Sequence, residues 1–160
     1  MKKSIDPSSF EALDETHRQI HTHLLRLQEL AKRLAQDEPT EADRKAAGSI
    51  ETFFSKTSRQ HHEQEELNVF PGLLNGADEE LANAVRTLRQ DHGFIEENWL
   101  ELGAQLRAMA SGNQWVDPTE LQHNLEVFTD LCLSHIALEE SLIYPEAKAR
   151  HQQLLARKKA

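Results

Sequence analysis

A short pattern of histidine and glutamate occurs twice in this 160-residue sequence and could bind metal ions. The pattern H-x3-E-E-x2-(V/I)-(F/Y)-P starts at His61 and again, 74 residues later, at His135. In an α-helix, residues i and i+4 share one face about 6 Å apart along the axis. His61 and Glu65 can therefore reach one metal ion or two adjacent ones. The same holds for His135 and Glu139.

Two further histidines also recur at equivalent positions. His17 and His92, which are 75 residues apart, each follow a leucine by four residues and precede an isoleucine by three. The chain thus resembles two helix pairs, each with one histidine on its first helix and an H-x3-E motif on its second. Four imidazoles and two carboxylates are too many donors for a four-coordinate structural zinc. They suit two metal ions with bridging carboxylates and an open position.

Iron is the metal that this donor set predicts. A mixture of imidazole and carboxylate suits both Fe(II) and Fe(III), although Zn and Mn accept the same ligands. Buried carboxylates need a compensating charge, and basic residues are sparse near Glu65 and Glu139. If the helices turned these edges to solvent, both glutamates would instead be ordinary surface residues.

The elements that must position these side chains are long amphipathic helices. Apolar residues recur every three or four positions and predict helices over about 7–36, 41–68 and 78–110, with a fourth starting at 117–118. Pro145 is predicted to end or kink the fourth helix and to leave a short C-terminal tail helix. Four such helices with short connections predict an all-α, up-down-up-down four-helix bundle.

Length and charge limit the classes of function. The 160 residues predict a single domain over 1–160 with a bundle core at about 8–147. The net charge of -9, with a basic run only at 157–159, argues against nucleic acid as a partner. No apolar run approaches the roughly 20 residues of a membrane span, and residues 1–7 do not resemble a signal peptide. The single Cys132 cannot form an intrachain disulfide, so a cytoplasmic location is expected.

Taken together, these motifs resemble the hemerythrin-like, or HHE cation-binding, family. The shared pattern is an early D-E-x-H, then H-x3-E-E with a following F-P, a central histidine and a late H-x3-E. The resemblance implies a non-haem di-iron site in a hemerythrin-like bundle, with both glutamates as candidate bridges beside an oxo or hydroxo group. The matching ligand positions are His17, His61, Glu65, His92, His135 and Glu139.

The sequence departs from the oxygen-carrying hemerythrins at two positions. Those proteins resemble this pattern but place a fifth histidine one turn after the central one, where this chain has Glu96. Their fourth-helix carboxylate follows its histidine by five residues, the position of Glu140, so Glu139 and Glu140 both stay open as ligands. Glu96 in place of an imidazole would favour ferric iron and make reversible oxygen carriage less favourable.

The remaining histidines are assigned by their helical angle. His21 lies about 40° from His17 and is a candidate partner of the ligands or an alternative ligand. His62 lies about 100° from His61 and is predicted to be on the helix surface. The same surface position is predicted for His23, His123 and His151. Cys132 is interpreted as a small core residue.

Three functions are consistent with these residues. The first is a metal-binding protein that binds or senses oxygen or nitric oxide, or holds iron for transfer. The second is either an enzyme, a di-iron oxidoreductase acting on peroxide, oxygen or nitric oxide with an external electron donor, or else an iron-centre repair protein. The third is a metal-free helical interaction protein. The sequence does not indicate the oligomeric state.

Overall fold

The computed structural model describes residues 7–76, 78–112 and 115–159. Within these ranges every regular element is helical, and no strand occurs. The elements are, in chain order, α1 (Pro7–Leu34), α2 (Glu41–Thr52), π1 (Phe53–Ser58), α3 (Arg59–Gln64), π2 (Glu65–Val69), α4 (Phe70–Leu74), α5 (Glu79–Ser111), α6 (Pro118–Leu138), π3 (Glu139–Ile143) and α7 (Tyr144–Lys159). The predicted roles of residues 1–6 and of Asn113 lie outside the described residues.

These elements form four helical rods, because several follow one another without a break. The first rod is α1, the second runs from α2 to α4, the third is α5, and the fourth runs from α6 to α7. Each rod packs beside the next, and the fourth packs against the first. Since the connections are short, consecutive rods run antiparallel. The prediction of an all-α four-helix bundle is confirmed.

Local sequence signals fix where the rods begin and end. The hydroxyl of Thr40 accepts a hydrogen bond from the Asp43 N–H, and the Asp43 carboxylate accepts one from the Thr40 N–H. The carboxylate of Asp117 caps α6, and Pro118 occupies its first turn. At the end of α5, Gly112 adopts a left-handed conformation with φ of 70°.

Two π-helical turns begin at the glutamates of the repeated motif. The Phe70 N–H donates to the carbonyl of Glu65, and the Tyr144 N–H donates to the carbonyl of Glu139, each five residues back. A proline follows each glutamate by six residues and has no N–H to donate. The wider turn gives the proline ring room where a regular α-helix would bring it against a carbonyl.

Of the two outcomes predicted for Pro145, an end or a kink of the fourth helix, the structure contradicts the first. Pro145 does not end the rod, because helix α7 continues through it to Lys159. The second rod likewise passes its proline and extends to Leu74, beyond the predicted end at about residue 68. No helix within the described residues is long and apolar enough to span a membrane.

The interior consists of two apolar clusters with a polar layer between them. Along the first rod, Leu13 belongs to one cluster and Ile20 to the other, and His17 lies between them. Along the third rod, Leu88 and Ile95 flank His92 in the same way. Cys132 is buried in the cluster that contains Ile20, as predicted. The polar layer is where the repeated motifs meet.

Candidate metal centre

All six residues that the resemblance implied as ligands lie together in this polar layer. Each is at most 4% exposed, and both glutamates are completely buried. The first rod contributes one histidine, the third another, and the second and fourth contribute a histidine and a glutamate each. The six residues are His17, His61, Glu65, His92, His135 and Glu139.

Each buried glutamate lies between histidines of the two repeats. The Oε1 atom of Glu65 lies 3.4 Å from Nε2 of His61 and 3.3 Å from Nε2 of His92. This carboxylate therefore connects the second rod with the third.

Glu139 makes the corresponding connection between the fourth rod and the first. Its Oε1 atom lies 3.0 Å from Nε2 of His135 and 3.4 Å from Nε2 of His17. Two ligand atoms bound at about 2.1 Å and at right angles on one ion would be about 3.0 Å apart. The observed separations are therefore close to those of atoms that share a metal ion.

The donor atoms of the cluster fit a metal better than they fit each other. Nε2 of His92 and Nε2 of His135 approach to 3.1 Å. Among the described residues, Oε1 of Glu65 and both carboxylate oxygens of Glu139 are buried without a well-directed hydrogen bond. No described lysine or arginine lies within ion-pair distance of either glutamate. Buried carboxylates of this kind are costly unless a cation compensates them.

Burial keeps three histidines of the layer in the neutral form. Burial, reinforced by the neighbouring imidazoles, lowers the pKa of His61 to about 2 and the pKa of His135 to about 2. Burial also lowers the pKa of His17, against the opposing effect of Glu65. A neutral imidazole has a free lone pair, which is the form that binds a metal.

The comparison with protein families agrees with this geometry. A model of the hemerythrin HHE cation binding domain matches residues 8–147. The chain belongs to this family. An uncharacterised protein from Haemophilus influenzae is 34% identical over 94 residues, which are 58% of this chain and 52% of that protein. The chain thus spans about half the length of this relative. No solved structure matches the present chain.

Membership of the HHE family and the donor cluster together indicate a cation site in the polar layer. Among residues 7–76, 78–112 and 115–159, there are two groups of four residues whose ligand atoms all lie within 4.8 Å of one another, and Glu65 belongs to both groups. The first group is His17, His61, Glu65 and Glu139. The second group is His62, Glu65, His92 and His135.

The second glutamate of each H-x3-E-E motif lies beside the cluster and contacts a histidine of the other repeat. Oε1 of Glu140 lies 3.2 Å from Nδ1 of His17, and Oε1 of Glu66 lies 3.3 Å from Nδ1 of His92. With Nδ1–H donating to the carboxylate, Nε2 of each ring is free to face the layer. Glu140 is 52% exposed and Glu139 is fully buried, so Glu139 lies inside the layer and Glu140 lies at its edge.

Tyr144 is a member of this layer that the sequence interpretation did not single out. Its hydroxyl donates a 2.8 Å hydrogen bond to Oε2 of Glu65 and lies 3.1 Å from Nε2 of His17 and 3.3 Å from Nε2 of His61. Burial and the neighbouring Glu65 raise the pKa of the Tyr144 phenol, which keeps its proton. The signal was the aromatic position of the repeat, which is phenylalanine in one copy and tyrosine in the other.

Two histidines predicted to be on the surface are buried. His62 is 6% exposed and stacks on His92, with ring centroids 4.0 Å apart and planes inclined by 17°. His151 is 6% exposed and packs edge-on against Phe10. His21, a candidate ligand, is exposed and belongs to neither donor group.

Glu96 lies outside the layer as well. Its side chain is 46% exposed, and its Oε1 lies 3.9 Å from Nε of Arg59. The acidic residue at the position of the fifth histidine therefore pairs with a surface arginine.

Proposed function

We propose that the polar layer binds two iron ions and that the protein binds or senses a small ligand such as oxygen or nitric oxide, or holds iron. The observation that carries this proposal is the pair of four-residue donor groups that share Glu65. A carboxylate common to two groups suits a bridge between two ions, and the mixed imidazole and carboxylate donors suit iron. Zn and Mn are alternative occupants.

The chain's own residues would hold the ions, fix the imidazoles and exclude water. Glu66 and Glu140 orient their histidines through Nδ1, and Tyr144 holds Glu65 through its hydroxyl. The two apolar clusters close the layer from both sides. Bound iron would supply one-electron redox chemistry and an exchangeable position for a small ligand.

The size of the internal space supports a small ligand. A cavity of about 10 Å³ beside Glu139, Cys132 and His62 has room for roughly one water-sized molecule. A second cavity, of about 330 Å³, opens between the second and third rods and also reaches His62. Ser58, His62 and Ile95 line both cavities, so the two spaces lie on either side of these residues.

Metal analysis tests this proposal directly. The protein would be loaded anaerobically with Fe(II), desalted, and measured by elemental mass spectrometry. About two irons per chain are expected in the wild type and in the exposed control variant His123→Ala. His61→Ala and His135→Ala are expected to lose iron but to keep their helical circular dichroism. A wild type that holds no iron after reconstitution would overturn the proposal and favour a metal-free interaction protein.

A di-iron oxidoreductase is the second candidate, and Tyr144 is the observation that favours it. Its buried hydroxyl contacts Glu65, His17 and His61, so it is placed to donate a hydrogen bond to a reactant held in the layer. Such an enzyme would need an external electron donor. Steady-state turnover of peroxide, oxygen or nitric oxide tests it. A rate no greater than that of free Fe(II) would exclude this activity.

A further inference from the structure

The two halves of the polar layer are not equivalent, although the sequence repeat would make them so. In the repeat, His61 corresponds to His135 and the next residue, His62, corresponds to Ile136. One half therefore contains an imidazole where the other contains an apolar side chain.

The surroundings of His62 are those of a metal-site residue. One of its ring nitrogens lies within 4.8 Å of ligand atoms of Glu65, His92 and His135. Its ring is parallel to that of His92 and 5.7 Å from that of His135, centroid to centroid. Its Nδ1 is buried and has no hydrogen-bond partner among the described residues. A buried imidazole without a partner is costly if it serves only as packing.

His62 belongs to the same donor group as His92 and His135. The other donor group has only two imidazoles, because its members are His17, His61, Glu65 and Glu139.

We propose that His62 is a metal ligand, bound to the same ion as His92 and His135. This inference rests on the proposed dinuclear iron site. It makes the two metal positions inequivalent, with three imidazoles at one and two at the other. The position near His17 and His61 then has two imidazoles and lies beside the Tyr144 hydroxyl.

Iron release from matched variants tests the assignment. Wild type, His62→Ala, His62→Gln and the exposed control His123→Ala would be loaded anaerobically with Fe(II), and iron removal by the chelator ferrozine would be followed in time. In both His62 variants, one iron is expected to leave at least about tenfold faster than in the wild type, while the other keeps the wild-type rate. Added imidazole should slow the fast phase of His62→Ala, and His123→Ala should match the wild type.

Mössbauer spectroscopy of the ⁵⁷Fe-loaded wild type gives a test that does not depend on a variant. Two quadrupole doublets of equal area are expected, and one of them should change in His62→Gln. Wild-type release rates in both folded His62 variants would overturn the assignment, and so would equal acceleration of both irons. If the variants do not fold, a single doublet in the wild type overturns it and two doublets support it. A wild type without bound iron would instead refute the proposed function itself.

Discussion

The hydroxyl of Tyr144 donates a 2.8 Å hydrogen bond to Glu65, the carboxylate that both donor groups share. The two residues are 79 positions apart and lie on the fourth and second rods. The bond therefore joins the two repeats at the centre of the polar layer. Phe70 takes the equivalent position in the other repeat and stacks on His92 at 5.7 Å.

Replacing Tyr144 with phenylalanine should remove this bond and keep the ring. Because hydrogen bonds to charged groups contribute about 1.5–3 kcal/mol, the free energy of unfolding of the metal-free protein should fall by about that amount. Urea unfolding measures it, with Ser141→Ala, an exposed position on the same rod, as the control. An unchanged midpoint in Tyr144→Phe would mean that the hydroxyl does not stabilise Glu65.

The adjacent glutamates of the fourth rod should respond differently to substitution. Glu139→Gln removes a buried donor of the layer and is expected to abolish binding of at least one metal ion. Glu140→Gln removes only the partner of the His17 Nδ1, so the iron affinity should fall by roughly 10–100-fold with the stoichiometry kept. Competition with a chelator measures both, and Glu63→Gln, which is exposed, serves as the control. Equal behaviour of the two variants would contradict the different roles assigned to them.

Acid should destabilise the metal-free protein over a defined range of pH. The pKa of His61 and of His135 falls from 6.5 to about 2 on burial, so below pH 6.5 the unfolded chain binds protons that the folded chain does not. Stability is therefore full above pH 6.5 and declines as the pH falls towards about 2. Each such imidazole contributes a slope of up to about 1.4 kcal/mol per pH unit.

Urea unfolding of the metal-free protein at pH 7.5 and pH 5.5 measures this effect. His61→Gln removes one of the two groups, so its stability should depend less steeply on pH than that of the wild type. A free energy of unfolding that does not change between these two pH values would show that the buried imidazoles are not kept neutral by the fold.

Substitution by alanine should have different effects at two glycines of α5. A Cβ added at Gly93 would meet no atom within 4 Å, so Gly93→Ala should raise the free energy of unfolding by about 0.5–1 kcal/mol through helix propensity. A Cβ at Gly103 would lie 3.1 Å from the indole of Trp99, so the ring must shift and the gain should be lost. Thermal unfolding of the two variants compares them. A larger gain at Gly103 would contradict this packing.

The motif spacing predicted the six residues of the layer but missed His62, and the reason is geometric. An inward stripe on a bundle helix is at least about 100° wide, so two consecutive residues can both face the interior when they lie on either side of its centre. His61 faces Tyr144 and His17, whereas His62 faces His92 and His135. A single helical angle measured from one histidine could not distinguish this arrangement from surface exposure.

The continuation of the fourth rod could not be predicted either. A proline inside a helical pattern normally ends or kinks the helix, and Pro145 lies inside such a pattern. The π turn that accommodates it depends on backbone hydrogen bonds that the sequence pattern does not encode. The repeated placement of a proline six residues after each buried glutamate was the available signal. The same π turn occurs at both of these places in the chain.

The polar layer also divides the interior into two hydrophobic units that do not share their buried side chains. The layer between them contains carboxylate oxygens with no directed partner among the described residues. Amide hydrogens on either side should then exchange as two groups with separate opening free energies. Metal ions bound to residues of all four rods would connect the two groups. In the metal-loaded protein, the amide hydrogens of both groups should then exchange with one common opening free energy.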